Sequence, residues 1–228
     1  MEELENLIIS ALLIYKNPEI INDIVEFQKD LNTEIDEKFR VSLKEEKINI
    51  ACEKGCAYCC YGWEVKGNIA ELILAVYELN SLKLEEKKKI LKNLRNYPKS
   101  KNLENVPCPL LNLEMNTCRI YNSRPFVCRL YVSEDVNKCK NKEEIVFPNS
   151  VEKITKNVKI PAEEMISDEF KPLFDTKMSI TDILFNEEKN LFYLNLANTI
   201  NLFVYPENKE VQIKMEKGDY FKKFGTNF

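Results

Sequence analysis

Eight cysteines and no histidine constrain this 228-residue chain more than any other feature. Four of the cysteines, Cys52, Cys56, Cys59 and Cys60, fall within nine positions in the stretch CEKGCAYCC. The other four, Cys108, Cys118, Cys128 and Cys139, follow after 47 intervening residues, spaced C-x9-C-x9-C-x10-C. Without histidine there is no Ser–His or Cys–His nucleophile and no mixed Cys/His metal site. A transition metal in this chain is therefore held mainly by thiolates, which select zinc, iron–sulfur clusters or copper(I).

The thiols serve metal only where they stay reduced. The N-terminal MEELENLIISALLIY is acidic where a secretory signal is basic, and its apolar residues recur at helical spacing rather than as a membrane-spanning run. The expected location is cytoplasmic, without a membrane segment, where cysteine clusters read as metal sites rather than disulfide frameworks. Hydrophobic residues make up 44% of the chain, enough for a core that needs no disulfides. A net charge of −4 gives no strong nucleic-acid signal. The charge is uneven, with net −6 over residues 1–50 and net +6 over residues 83–101. Both runs read as solvated helix faces, and a docking surface for an acidic partner is the alternative.

Periodicity and turn residues predict a mostly helical α+β chain forming a single domain over 1–228. A first amphipathic helix is expected at 2–16. Asn17 and Pro18 suit the start of a second, and Ile20, Ile24, Phe27, Leu31, Ile35 and Phe39 mark its apolar stripe to about residue 47. A loop follows at 51–67 with three of the five glycines, which permit backbone to approach a bound group closely. Asn68 and Glu71 form a candidate capping box for a helix to about Leu79, and a basic helix is expected near 83–96. A short hairpin turns near Asn116, and Ser123 is a candidate cap for a helix in SRPFVCRLY. Helices are expected near 161–168 and 179–198, with a small C-terminal β-hairpin around Pro206-Glu207-Asn208.

Three readings of the thiols compete. Structural zinc favours two close pairs, and the distal cysteines contain none. Cys52, Cys56 and Cys59 can place three thiolates on one face of a 4Fe-4S cluster, with a fourth ligand from elsewhere. Buried or redox-active thiols are the blandest reading, hard to extend to eight. Neighbouring side chains in an extended segment point oppositely, so Cys60 serves a second centre or stands behind the first.

The stretch CEKGCAYC, with Tyr58 as its aromatic, resembles the cluster loop of radical S-adenosylmethionine enzymes. That fold requires a strand before the loop and glycine-rich cofactor contacts, and here a long helix precedes the loop. CEKGCAYCC with PCPLL, CRIYNSRPFVCRLY and a last cysteine resembles the YkgJ-type cysteine-cluster family over residues 52–139. That family is described as zinc- or iron-chelating, and its domain also occurs in flagellin lysine methylase. The resemblance implies metal binding by the cysteines, with an iron–sulfur centre supporting S-adenosylmethionine-dependent methyl transfer to a protein substrate. A non-catalytic zinc module with a structural, carrier or electron-transfer role is the alternative. Three of the five arginines, Arg119, Arg124 and Arg129, accompany the distal cysteines. They are candidates to neutralise the centre or to clamp a cofactor carboxylate. Tyr58, Tyr61, Trp63 and Tyr121 are candidate shields for the centre or ordinary core aromatics.

Overall fold

The computed structural model describes residues 20–62, 64–98, 103–141 and 177–179. These residues are mainly helical. In chain order they form helix α1 (Ile20–Glu45), strand β1 (Lys66–Asn68), and helices α2 (Ile69–Ser81) and α3 (Leu84–Arg95). Strands β2 (Leu111–Asn112) and β3 (Thr117–Cys118), helices α4 (Phe126–Leu130) and α5 (Val136–Lys140), and strand β4 (Lys177–Ser179) follow. Two 3-10 turns, Tyr58–Cys60 and Tyr121–Ser123, lie among them.

Helix α2 is the centre of the packing. Ile69, Ala70, Leu72, Ile73, Leu74, Ala75 and Val76 are all buried, so this helix is apolar on nearly every face and is covered on several sides. Helix α1 packs along it. The buried face of α1 includes Ile20, Ile24, Ile35 and Phe39 from the expected stripe, but it also takes in Gln28 and Asn32. Phe27 and Leu31 are only half-buried. The two amides enter the interior as a pair, Gln28 Nε2 donating to Asn32 Oδ1 at 3.0 Å, while Gln28 Oε1 is buried without a partner. The second half of α1 supplies Ile35, Phe39 and Leu43 to a cluster with Leu130 and Val132, and Cys52 packs at its edge.

The capping box forms as expected. Glu71 N–H donates to Asn68 Oδ1 and Asn68 N–H donates to Glu71 Oε2, both at 2.8 Å. Glu71 is buried, and its other oxygen accepts from Phe126 N–H at 2.5 Å. One carboxylate thus satisfies the first N–H groups of both α2 and α4. Ser123 does not cap α4; it sits in the second 3-10 turn, and Pro125 occupies the cap position without a side-chain bond. The cap arrives from 55 residues earlier, which local sequence cannot reveal.

Both sheets are two-stranded and antiparallel. Strand β1 pairs with β4 in the register Lys66↔Ser179, Gly67↔Met178, Asn68↔Lys177. Strand β2 pairs with β3 as the expected hairpin, with Asn116 at φ 50° in its turn. Ser179 ends a strand rather than opening a helix. The helices expected at 2–16 and 161–168, most of that expected at 179–198, and the terminal hairpin lie outside the described residues, as does Trp63. Among the described residues no helix is long and apolar enough to cross a membrane.

Glycine at position 67 is a packing requirement. A Cβ there would stand 2.9 Å from Glu71 Oε2 and 3.5 Å from the Pro125 side chain. Gly67→Ala therefore has to displace a carboxylate held by two backbone donors, and it is expected to lower unfolding free energy by about 1–3 kcal/mol. Glu71→Ala, which removes the acceptor of the Asn68 and Phe126 N–H groups while leaving the Asn68 side-chain cap of α2, is expected to cost about 2–4 kcal/mol. Urea denaturation followed by circular dichroism measures both, and a double variant scarcely worse than Glu71→Ala alone confirms that they act through one contact.

Candidate metal centre

The two cysteine segments are brought together by backbone. Cys108 N–H donates to Cys60 C=O at 2.7 Å and Gly62 N–H donates to Val106 C=O at 3.2 Å. Tyr61 and Pro107 form an isolated antiparallel bridge between these two bonds. Gly62 sits at φ +90°, a conformation that side chains disfavour, where the chain leaves the bridge. Proline at 107 fits an edge position because its missing N–H is not called on. A separate tie holds the first cysteine: Ala51 N–H donates to Ser133 C=O at 2.8 Å, and Ser133 N–H donates to Cys52 Sγ at 3.4 Å.

These ties place every cysteine except Cys139 on the wall of one cavity of about 480 Å³. All eight cysteines are free thiols. Tyr97, Tyr131, Arg124 and Arg129 share the cavity wall. Among the described residues, no three Cys, Asp or Glu side chains already stand close enough to hold a single metal ion. The thiols surround a space rather than a point.

Backbone donors are aimed at the sulfurs. Leu110 and Leu111 N–H groups point at Cys108 sulfur and Ile120 N–H at Cys118 sulfur, each favouring the thiolate. Burial opposes them. It pushes Cys108 up to about 11, and it pushes Cys118 and Cys128 up as well, helped by neighbouring thiols. Burial also raises Cys52. Buried thiols held neutral by desolvation gain most from a bound cation, which favours their deprotonated form.

Cys59 and Cys60 lie in the 3-10 turn, not in an extended segment. In such a turn neighbouring residues are about 120° apart around the axis, so their side chains diverge without pointing oppositely. Their sulfurs are within hydrogen-bonding reach of each other. The bond from Cys60 lowers Cys59 to about 7, with Arg124 assisting, and raises Cys60 well above the ordinary thiol value.

The three arginines have different surroundings. Arg129 is buried; its Nη1 pairs with Asp36 Oδ2 at 2.5 Å, its Nε donates to Arg124 C=O at 3.0 Å, and its Nη2 donates to Asn122 C=O. It ties α1 to α4 and the 3-10 turn. Arg119 pairs with Glu86 on α3 and does not line the cavity. Arg124 lies over the Tyr121 ring at 4.1 Å, near Cys59, Cys118 and Cys128, with its buried Nε without a hydrogen-bond partner.

Tyr58 is exposed and does not line the cavity, whereas Tyr121 is exposed at its rim. The tyrosines on the wall are Tyr97, Tyr121 and Tyr131, of which the sequence singled out only Tyr121. Burial and the nearby Cys108 and Glu64 push the Tyr97 hydroxyl up to about 12. Ser133 was also missed, because a backbone N–H pointing at sulfur leaves no mark on residue type.

Residues 51–163 match a family model, CxxCxxCC, described as a putative zinc- or iron-chelating domain. This stretch, about half of the chain, is similar to that family. The chelating domain takes in all eight cysteines and every tie between them described above. No curated protein and no solved structure matches the chain. Metal chelation by the domain accords with a wall of soft thiol donors in a chain without histidine.

The contrast among the arginines is testable. Arg129→Leu leaves two carbonyls without their donor and releases the solvent-exposed Asp36, and it is expected to cost about 1–3 kcal/mol in unfolding free energy. Arg124→Gln gives up little beyond a ring contact and is expected to cost about 1 kcal/mol or less. Its effect is expected instead as faster loss of bound metal to a chelator, followed spectroscopically at matched protein concentration.

Proposed function

We propose that the chain is a metal-centre protein whose cysteines hold an iron–sulfur cluster in the cavity between its two cysteine segments. The observation that carries this is the wall itself: seven thiols spread around about 480 Å³. A zinc ion draws four sulfurs to about 2.3 Å, leaving no space among them, whereas a cluster fills space with its own sulfide. Arg124 supplies a positive charge beside the thiols, which offsets the net negative charge of a thiolate-bound cluster.

The finer reading is methyl transfer from S-adenosylmethionine to a protein substrate, within the cytoplasm. It needs one iron free of protein ligand and a group to hold the cofactor's carboxylate. Arg124, with its unpartnered Nε, is the best placed of the three arginines for that contact. The cavity falls within the usual size range for a small-molecule site, about 300–1,000 Å³. The alternative is a non-catalytic zinc module with a structural, carrier or electron-transfer role. It draws support from the composition: with all eight cysteines counted as ligands and no histidine, no general base is evident.

Purification without air, followed by iron, sulfide and zinc analysis and an absorption spectrum, separates the readings. The proposal expects a brown protein with iron and acid-labile sulfide in equal amounts. A colourless protein carrying only zinc overturns the iron–sulfur assignment.

A further inference from the structure

We propose that α3 and the tip of the β2–β3 hairpin form one docking surface, and that its occupant is an acidic, amphipathic segment of a partner protein. This goes beyond the metal-centre reading and does not rest on it.

Helix α3 presents unlike faces. Ile90 and Leu94 are buried. Toward the hairpin, Asn93 Nδ2 donates to Pro109 C=O at 3.3 Å, and Glu86 pairs with Arg119. Lys89 Nζ lies 3.4 Å from Glu86 and 3.9 Å from Glu114 at the hairpin tip. These contacts fix the hairpin beside the helix. Leu84, Lys88 and Lys92 are exposed and recur every four residues, so they form a row along the outer face of α3.

The hairpin tip is held in one conformation. Asn112 Oδ1 accepts from Glu114 N–H at 3.0 Å and from Met115 N–H at 3.3 Å, and Asn116 takes φ 50° where the chain turns back into β3. Leu113 and Met115 nonetheless stand in water. Met115 at 64%, Leu84 at 60% and Leu113 at 57% are the most exposed large apolar side chains among the described residues. All three belong to these two joined elements, and apolar exposure concentrated in one place marks an interaction site where scattered single residues do not.

The charge beside them is positive and only partly answered. Glu85 and Glu114 each lie within reach of a lysine, Lys88 and Lys89. Lys83 and Lys92 are exposed and take part in no ion pair among the described residues. A segment carrying carboxylates for these lysines and apolar anchors for Leu84, Leu113 and Met115 satisfies both halves of the surface. A nucleic acid would use the lysines and leave the apolar tip in water.

The probe is a fluorescein-labelled synthetic peptide of leucine and glutamate at helical spacing, titrated with the full-length protein as purified and followed by fluorescence anisotropy. A peptide with glutamine in place of glutamate is expected to bind about tenfold more weakly. Lys88→Glu/Lys92→Glu is expected to weaken binding of the glutamate peptide about tenfold at low salt, with the difference shrinking as salt is raised. Leu113→Ser/Met115→Ser is expected to weaken it about tenfold at every salt concentration. Lys38→Glu/Lys44→Glu on α1 makes the same charge change elsewhere and is expected to have little effect; a loss equal to that of the α3 pair overturns the proposal. So does a peptide that does not bind the wild type. Tight binding of a single-stranded oligonucleotide that needs Lys88 and Lys92 but not Leu113 and Met115 overturns it in favour of nucleic acid. A concentration-dependent dimer in sedimentation, abolished by Leu113→Ser/Met115→Ser, overturns it in favour of a second copy of the chain. Metal content is expected to be unchanged in every variant, so failure here leaves the metal-centre reading standing.

Discussion

The short antiparallel contact of residues 60–62 with 106–108 is the constraint on which the rest of the site depends. Forty-seven residues separate Cys60 from Cys108, and closing such a loop carries an entropic cost that the two thiols alone do not offset. The hydrogen bonds at Cys60 and Gly62, with the Tyr61–Pro107 bridge, fix the two segments in register. Everything on the distal side follows from that register. Cys108 is set beside Cys60, the turn to Leu111 aims two N–H groups at its sulfur, and the hairpin then delivers Cys118.

Two buried polar contacts hold this arrangement on the helices. Glu71 joins the start of α2 to the start of α4, and Arg129 joins α4 back to α1 through Asp36. Each satisfies several backbone groups with one side chain, so each is costly to break and specific in geometry. The apolar cluster of Ile35, Phe39, Leu43, Leu130 and Val132 packs against Cys52. Burial then sets the chemistry. Thiols kept neutral by desolvation, beside N–H donors and Arg124, are poised to release protons when a soft cation arrives.

Much of this was legible in residue order. The helix from Ile20, the capping box at Asn68 and Glu71, the basic helix and the hairpin at Asn116 each rest on a pattern within a few residues, and each formed. The metal-chelating character was legible from cysteine count and the missing histidine. What was not legible depends on contacts distant in sequence. Glu71 reads as a local cap, and nothing nearby signals that it also caps α4. Gln28 and Asn32 are polar by type, yet both are buried and bond each other. Arg119, Arg124 and Arg129 look equivalent in sequence; only the fold shows two of them in ion pairs and the third facing the thiols.

The account makes sulfur the ligand of whatever metal the chain holds. X-ray absorption at the metal edge of the anaerobically purified protein tests this most directly. The account predicts a first shell made almost entirely of sulfur at about 2.3 Å. A first shell dominated by oxygen or nitrogen would contradict it.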